Sequence, residues 1–424
     1  MAHLLVVGLN HHVAPLEVRE RLALDEARWR AVAPAVPGTV VLSTCNRVEV
    51  YAWVEGPSRP ASARLTRALA TAGGLSIADL RPHLICRSGA GALRHLVRVA
   101  SGLDSLVVGE EQIRGQIRQA VQAADASGHL PPALRGVFYR AAEAARRVRG
   151  GTRLGHHPSI ATAAIEIARR STGDLNGASV VVLGAGVMAK AAARHLVQQL
   201  GARVVLLNRT PAHATALAAE LGPSARVGPL DALPTELPTA TLLMCATAAR
   251  QPVVGADVLG RAVLERDGRA LVVLDIAIPR DVEPAARRVP GVQVIDLDDL
   301  ERLCPVDAAG RGAELARAEA LAAAEAQRLD RWLRVRAVSP AIVELREYGE
   351  RVRAAELHRA ATRLKDLTPE QLAAVNALTA GIVNKLLHGP TVALRDAATA
   401  PGGQARARSL AVRRLLRPER GRSA

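Results

Sequence analysis

Three observations predict a multidomain α/β chain. At 424 residues it is too long for one ordinary core and points to roughly two to four domains. The apolar run 180–183 leads directly into Gly184-Ala-Gly-Val-Met-Ala189 and a helical pattern, one βαβ unit at the head of further strand–helix alternation. After Cys304-Pro305 the composition changes to Ala-, Arg-, Glu- and Leu-rich sequence with few glycines until Gly381, the signature of long helices.

Taken in order, residues 4–9 are an apolar strand, and residues 39–42 and 48–54 are two more, the last with period-two alternation. Between them Ser43-Thr-Cys-Asn-Arg47 is too polar for a core strand and reads as a turn that presents side chains. From Gly91 the pattern is helical, with Leu93, Leu96 and Val97, then Ile113, Ile117 and Val121 at four-residue spacing, which leaves Gln112 and Gln116 together on another face. A helix over about 134–148 ends at Gly150-Gly151, and His156-His157-Pro158-Ser159 reads as a hinge into the next helix. The first boundary is therefore placed near 155. Strands at 180–183, 204–207, 240–244, 271–275 and 292–295 imply a parallel sheet covered by helices. Beyond 305, Leu315, Leu321, Leu329, Trp332 and Leu333 form one stripe. Ser339-Pro340 is expected to interrupt it before Ile342, Leu345, Val352 and Leu364 begin another, in a helical bundle or dimerisation arm.

Composition narrows the class. With 49% hydrophobic and 23% charged residues, wholesale disorder is excluded. Seven aromatic residues in the whole chain argue against a nucleic-acid platform built on rows of stacked rings. A formal charge of +16 favours a polyanionic partner, although an Arg-rich composition also follows from a GC-rich genome. Residues 1–155 hold 20 Arg, no Lys and 12 acids, and the stretch 397–424 seven Arg and one Glu, so the excess sits at the two ends. That final stretch reads as a poorly ordered basic tail. Cys45, Cys86, Cys245 and Cys304 show no paired metal spacing, so no metal site is expected. The cysteine usage, the start Met-Ala-His-Leu-Leu-Val-Val-Gly and the lack of an 18-residue uncharged apolar run lead to the expectation of a reducing cytoplasm and no membrane.

Two motifs carry chemistry. Gly184-x-Gly186-x-x-Ala189 after a strand and opening a helix fits a Rossmann-type dinucleotide turn, in which the glycines let the backbone approach a pyrophosphate. An ordinary tight βα turn is the bland alternative, and the strand-turn-helix context favours the nucleotide. The cofactor-binding positions are Gly184, Ala185, Gly186, Val187, Met188 and Ala189, and at the end of the next strand Asn208, Arg209 and Thr210. A guanidinium and a hydroxyl there, in place of a carboxylate, suit a ribose 2′-phosphate and hence NADPH. Cys45 could be an inert packing cysteine. Its polar turn and the charge of Arg47 are expected to favour the nucleophilic thiolate, and a thiolate beside NADPH suggests a thioester reduced by hydride. His95 lies among apolar helix positions, and sequence spacing cannot rank it against His11, His12, His156 and His157 as an acid or base.

These segments together resemble the glutamyl-tRNA reductases. The resemblance rests on Gly8-Leu-Asn-His-His-Val-Ala-Pro15 with Arg19-Glu20, on Leu42-Ser-Thr-Cys-Asn-Arg47 with Glu49, and on Ser101-Gly-Leu-Asp-Ser105 through Gly109-Glu-Glu-Gln112 to Gln116. It continues through the Gly184 turn, Asp275-Ile-Ala-Ile-Pro-Arg-Asp281 and Leu387-His-Gly-Pro-Thr391. Val13 departs from it, standing where the family's motif has Thr. The resemblance implies an N-terminal α+β catalytic domain (1–155), a Rossmann-type NADP(H) domain (156–305) and a long helix leading to an all-α dimerisation domain (306–396), with 397–424 as the tail. It implies Cys45 as nucleophile toward the ester of glutamyl-tRNA(Glu), His95 as a second catalytic residue, and Thr44, Asn46, Arg47, Ser105, Glu110, Glu111, Gln112 and Gln116 as the glutamate site. Carboxylates would suit the substrate ammonium and Arg47 the substrate carboxylate. Implied partners are a second copy of the chain and the glutamate-1-semialdehyde aminotransferase that would take the product. Two other readings stay open: an NADP-linked dehydrogenase of a small free substrate, resembling shikimate dehydrogenase, and a nucleic-acid-binding regulator with a nucleotide domain as sensor. Neither requires the 43–47 turn or the 105–116 block.

Overall fold

The structure is a computed structural model that describes residues 2–23, 36–110, 112–153, 159–303 and 311–399. Glu111, His156, His157, Cys304 and residues 400–424 lie outside the described residues. Residues 2–326 form one compact unit and the chain from Gln327 another.

The first unit begins with an antiparallel sheet of order β2-β3-β1-β4, made of β1 (Ala2–Asn10), β2 (Thr39–Ser43), β3 (Arg47–Glu55) and β4 (Ile85–Ser88). Alternation decides its faces. Leu5, Val7 and Leu9 of β1 join Val48 and Val50 of β3 on one side, where Leu65 and Leu69 of the Ser58–Gly73 helix complete the core. On the other side Tyr51 meets Phe138 of the Pro132–Gly150 helix edge to face, ring centroids 5.2 Å apart. The Ala90–Ala100 helix also packs on β1. Strand β4 is not legible in the sequence, because only Ile85 of its four residues is even half-buried and no alternation marks it.

The second layer of the same unit is a six-stranded parallel sheet, order β10-β9-β8-β5-β6-β7. It comprises β5 (Ser179–Leu183), β6 (Arg203–Asn208), β7 (Ala225–Pro229), β8 (Leu242–Cys245), β9 (Leu271–Asp275) and β10 (Val292–Asp296). The sequence reading omits β7, an edge strand with no buried residue. Val180 and Val182 point into one apolar cluster and Val181 and Leu183 into the opposite one, which explains the unbroken apolar run: both faces are covered. The chain crosses from one half of the sheet to the other beside β5, and such a switch point opens a crevice at the carboxyl ends of the strands.

The helix Arg311–Leu364 runs 54 residues. Its first part packs through Ala318, Ala322 and Ala326, all buried small residues at four-residue spacing, and of the expected leucine stripe Leu329 is buried as well. Arg98 binds Glu319 at 2.9 Å and Arg147 binds Glu325 at 2.7 Å along this seam. The expected break at Ser339-Pro340 is absent: the helix continues through Pro340. A proline inside a helix removes one backbone hydrogen bond and costs about 3 kcal/mol. Here it is flanked by Val338, Ala341 and Ile342, which are buried, and their packing holds the helix together. In the second unit Val338, Ile342 and Leu345 form a core with Leu394 and Ala398 of the helix Pro369–Thr399. Leu378, Ile382 and Leu386 of that helix are exposed. Among the described residues no helix is long and apolar enough to cross a membrane.

Candidate active site

The β2–β3 connection places Cys45. Two bonds close its turn: Thr44 N donates to Arg47 O at 2.8 Å, and Asn46 N donates to the Thr44 hydroxyl at 3.1 Å. The Arg19 guanidinium reaches the Cys45 carbonyl at 3.2 Å, and His11 N donates to Asn46 O at 2.9 Å. Thr44 thus acts on the backbone that shapes the turn. Cys45 is half-buried, with its thiol pushed up to about 12 by burial and by the neighbouring Glu110 carboxylate, against the weaker pull of Arg19 and Arg47. Burial likewise raises Glu110 to about 7. The expected standing thiolate is therefore not what the structure gives. A protonated thiol and a carboxyl group raised toward neutrality thus act on one another electrostatically.

Arg47 departs from expectation for the same reason. It is 1% exposed, and its Nη1 donates to Glu49 Oε1 and Asp104 Oδ2, each at 2.9 Å, while Nη2 binds the Asp104 carbonyl. It does not present an open guanidinium to a substrate. Glu49 also accepts from the Tyr51 hydroxyl at 2.5 Å and pairs with His95 Nε2 at 2.8 Å. Burial alone would raise Glu49, but His95 and Arg47 hold it down to about 2. Asp104 is likewise held down to about 2, against its burial, by Arg47 and His95. The result is a fully buried ion network that fixes one nitrogen of His95. Close by, Asn10 Oδ1, His11 Nδ1, Asn46 Oδ1 and Ser101 Oγ are buried without a hydrogen-bond partner. Each such atom costs about 1–3 kcal/mol unless something binds it, so this is where a polar ligand gains most.

Cys45 also faces the parallel sheet. It packs on that core together with Leu106 and Val107, and it lines a cavity of about 1580 Å³ shared by Gln112 and Gln116 with Gly184, Gly186, Met188 and Asn208. Gly184 has φ +103, and a Cβ there would stand 2.5 Å from the Ala246 carbonyl oxygen, so only glycine permits this crossing. Gly186 caps the Val187–Gln198 helix, and a Cβ on it would enter open space at the cavity wall. A glycine-lined hollow at a helix N-terminus fits the pyrophosphate of a dinucleotide. A second cavity of about 630 Å³ has Thr44, Cys45, Thr247 and Arg250 on its wall, so the thiol stands between two openings.

Three known domain families match successive stretches of the chain. Residues 7–152 match the glutamyl-tRNAGlu reductase N-terminal domain, 166–303 the shikimate/quinate 5-dehydrogenase domain, and 317–417 the glutamyl-tRNAGlu reductase dimerisation domain. The glutamyl-tRNA reductase of Sorangium cellulosum is 39% identical over 423 residues, 94% of this chain and 79% of that one. That of Moorella thermoacetica is 40% identical, covering 93% and 91%. The solved structure of glutamyl-tRNA reductase from Methanopyrus kandleri is 32% identical, covers 97% of this chain and 98% of its own, and superposes with a TM-score of 0.50. The chain belongs to the glutamyl-tRNA reductase family. It is accordingly an oxidoreductase with a dehydrogenase-like domain for a nicotinamide cofactor, and its dimerisation domain supports a homodimer.

Within this glutamyl-tRNA reductase fold the sequence-derived site residues fall into three groups. Cys45, Gln112, Gln116, Gly184, Ala185, Gly186, Val187, Met188 and Asn208 line the large cavity. Asn46, Arg47, His95, Ser105 and Glu110 lie buried behind the Cys45 turn. Ala189 is fully buried under the Gly184 turn, and Arg209 and Thr210 are exposed beyond β6, where the Asn208 amide donates to Thr210 O at 2.8 Å. Sequence reasoning missed Asn10, Tyr51 and Asp104. Asn10 was within reach, since it stands in the Gly8–Pro15 motif and pairs with Arg47 across the strands. Asp104 was equally within reach, inside the Ser101–Ser105 motif, whereas Tyr51 gave no signal, because its role exists only once β3 meets the Ala90–Ala100 helix and the segment after it. The Asp275–Asp281 motif proves to be a brace: Arg280 binds Glu20 at 2.8 Å and Glu17 at 3.3 Å, while Asp281 accepts from Thr247 N at 2.8 Å.

Proposed function

We propose that this chain reduces the glutamyl ester of glutamyl-tRNA(Glu) to glutamate-1-semialdehyde with NADPH and releases the tRNA, the first step of the five-carbon route to tetrapyrroles. The observation that carries the reading is the single cavity onto which Cys45, the Gln112–Gln116 face and the Gly184 turn all open. The Cys45 sulfur attacks the ester carbonyl as its proton passes to Glu110. The carbon–oxygen bond to the tRNA breaks, its oxygen takes up a proton, and a thioester remains. An aminoacyl ester is already activated, so the displacement needs no nucleotide triphosphate. The nicotinamide nucleotide supplies, when bound, the hydride that adds to the thioester carbon; the carbon–sulfur bond then breaks, giving the aldehyde and returning the Cys45 sulfur as thiolate. To His95, held by Glu49, we assign the orientation or polarisation of the reacting carbonyl. Asn10, Asn46 and Ser101 offer unpaired buried atoms to the glutamyl group, with Ser105, Glu110, Gln112 and Gln116 completing its surroundings. Arg209 and Thr210, exposed at the end of β6, support NADPH over NADH. The reactivity of an aldehyde product favours direct transfer to the aminotransferase that uses it. A small-substrate dehydrogenase, the reading that the 166–303 match would allow, leaves the Cys45 turn without a task.

The test is to incubate the protein with glutamyl-tRNA(Glu) and NADPH and then repeat with Cys45→Ser. Semialdehyde forms with the native chain and essentially none with the variant; retained reduction by the serine variant overturns the thioester route. Arg209→Ala is expected to lower the NADPH-to-NADH preference, and an unchanged preference sinks the 2′-phosphate assignment.

A further inference from the structure

The wall of the large cavity formed by the helices Gln112–Ala126 and Pro132–Gly150 has more than the proposed chemistry uses. Tyr139 lines the cavity and is 68% exposed, in a chain with seven aromatic residues where Tyr51 and Phe138 are fully buried. An exposed ring in so aromatic-poor a protein has no packing role. Ala142, Glu143 and Arg146 follow it on the same helical face at three-, four- and seven-residue spacing, and all line the cavity. Across from them Arg114 and Arg118 stand one turn apart on the other helix, with Arg118 and Arg146 exposed. Glu143 is the single acid among the described lining residues, so this wall has a surplus of positive charge. The cavity, at about 1580 Å³, exceeds the roughly 300–1,000 Å³ of a usual single-ligand pocket. It has room for a second occupant beside a dinucleotide.

We infer that this wall is the subsite for the single-stranded 3′ acceptor end of the tRNA, with a base stacked on Tyr139 and phosphates met by Arg118 and Arg146. The inference rests on the function proposed above. An unpaired strand led along this cationic wall would bring its terminal ester to the thiol, which lines the same cavity. Ring stacking and guanidinium–phosphate pairing are the two interactions that bind single strands without reading their sequence.

Binding and reduction are measured separately, so that the two readings can fail independently. Anisotropy of a labelled single-stranded RNA ending in CCA is followed with the native protein, Tyr139→Ala, Tyr139→Phe and the double variant Arg118→Ala/Arg146→Ala. Reduction is followed with glutamyl-tRNA(Glu) and with 3′-O-glutamyl-adenosine, which has the terminal base but no phosphate. Loss of stacking weakens RNA binding and raises KM for both substrates about tenfold in Tyr139→Ala, with Tyr139→Phe near native. The Arg variant raises KM for the tRNA substrate alone and lowers the slope of log affinity against log salt by roughly 0.7 for each cation that met a phosphate. Unchanged RNA affinity in Tyr139→Ala, or an Arg variant equally impaired on glutamyl-adenosine, overturns the subsite. RNA binding that follows these variants in a protein that reduces neither substrate keeps the subsite and removes the reductase reading.

Discussion

Burial and Glu110 hold the Cys45 thiol in its protonated form, so the proposed thioester route needs a base, and its pH dependence follows from that neighbour. Glu110 titrates near 7 because burial disfavours its charge. Below that pH it is neutral and cannot take the thiol proton; above it, the carboxylate can. The acylation step, read as burst release of tRNA in the absence of reductant, should therefore rise with pH through about 7. In Glu110→Gln that rising limb should disappear and the rate fall by at least about 10²-fold. A rate in the Gln variant that kept the native profile would place the base elsewhere. The same turn shows how environment overrides residue type: Arg47, two positions from the thiol, is drawn inward by Glu49 and Asp104, and its charge serves the buried network.

The strand–turn–helix element around Gly184 separates folding from binding in one pair of variants. At Gly184 an added Cβ meets backbone at 2.5 Å in a φ +103 conformation, so Gly184→Ala should destabilise the nucleotide sheet by about 1–3 kcal/mol. At Gly186 the same methyl meets nothing; Gly186→Ala should keep the native unfolding temperature and weaken the dinucleotide. Thermal unfolding and cofactor titration of both variants decide the matter, and a Gly186→Ala protein with native cofactor affinity would show that the pyrophosphate sits elsewhere. The long helix illustrates the opposite relation, since Pro340 is tolerated where packing of Val338, Ala341 and Ile342 outweighs a local rule.

In the unit formed by residues 2–326, the proposed reaction requires the Cys45 turn and the Gly184 turn in register, and ion pairs brace the segments around them. Arg280 joins Glu20 and Glu17, and Arg19 pairs with Asp298. Arg280 and Glu20 are each about 15% exposed, partly shielded from water, so the pair is stronger than an open surface bridge. A double-mutant cycle on Glu20→Ala and Arg280→Ala should give a coupling of about 0.5–3 kcal/mol in stability. In Arg280→Ala kcat should fall by more than KM rises, because misalignment of the two turns affects the reacting geometry first. Additive stabilities would show that the pair contributes nothing.

The sequence by itself determined the parallel sheet, the glycine turn and the polar turn around Cys45. These are local patterns: an apolar run buried on both faces, two glycines where backbone must come close, a polar break between strands. It also determined the ends of the charge distribution. What it could not determine were β4 and β7, edge strands without buried alternation, the alanine seam of the long helix, and the partners of Arg47, Glu49, Tyr51, His95 and Asp104. Those depend on residues up to 94 positions apart meeting in the interior. The sequence named Cys45 and Arg47 as neighbours; the tertiary structure decided that one faces the cavity and the other the core. Burial sets which charges a site can hold, and burial is a property of the packed chain.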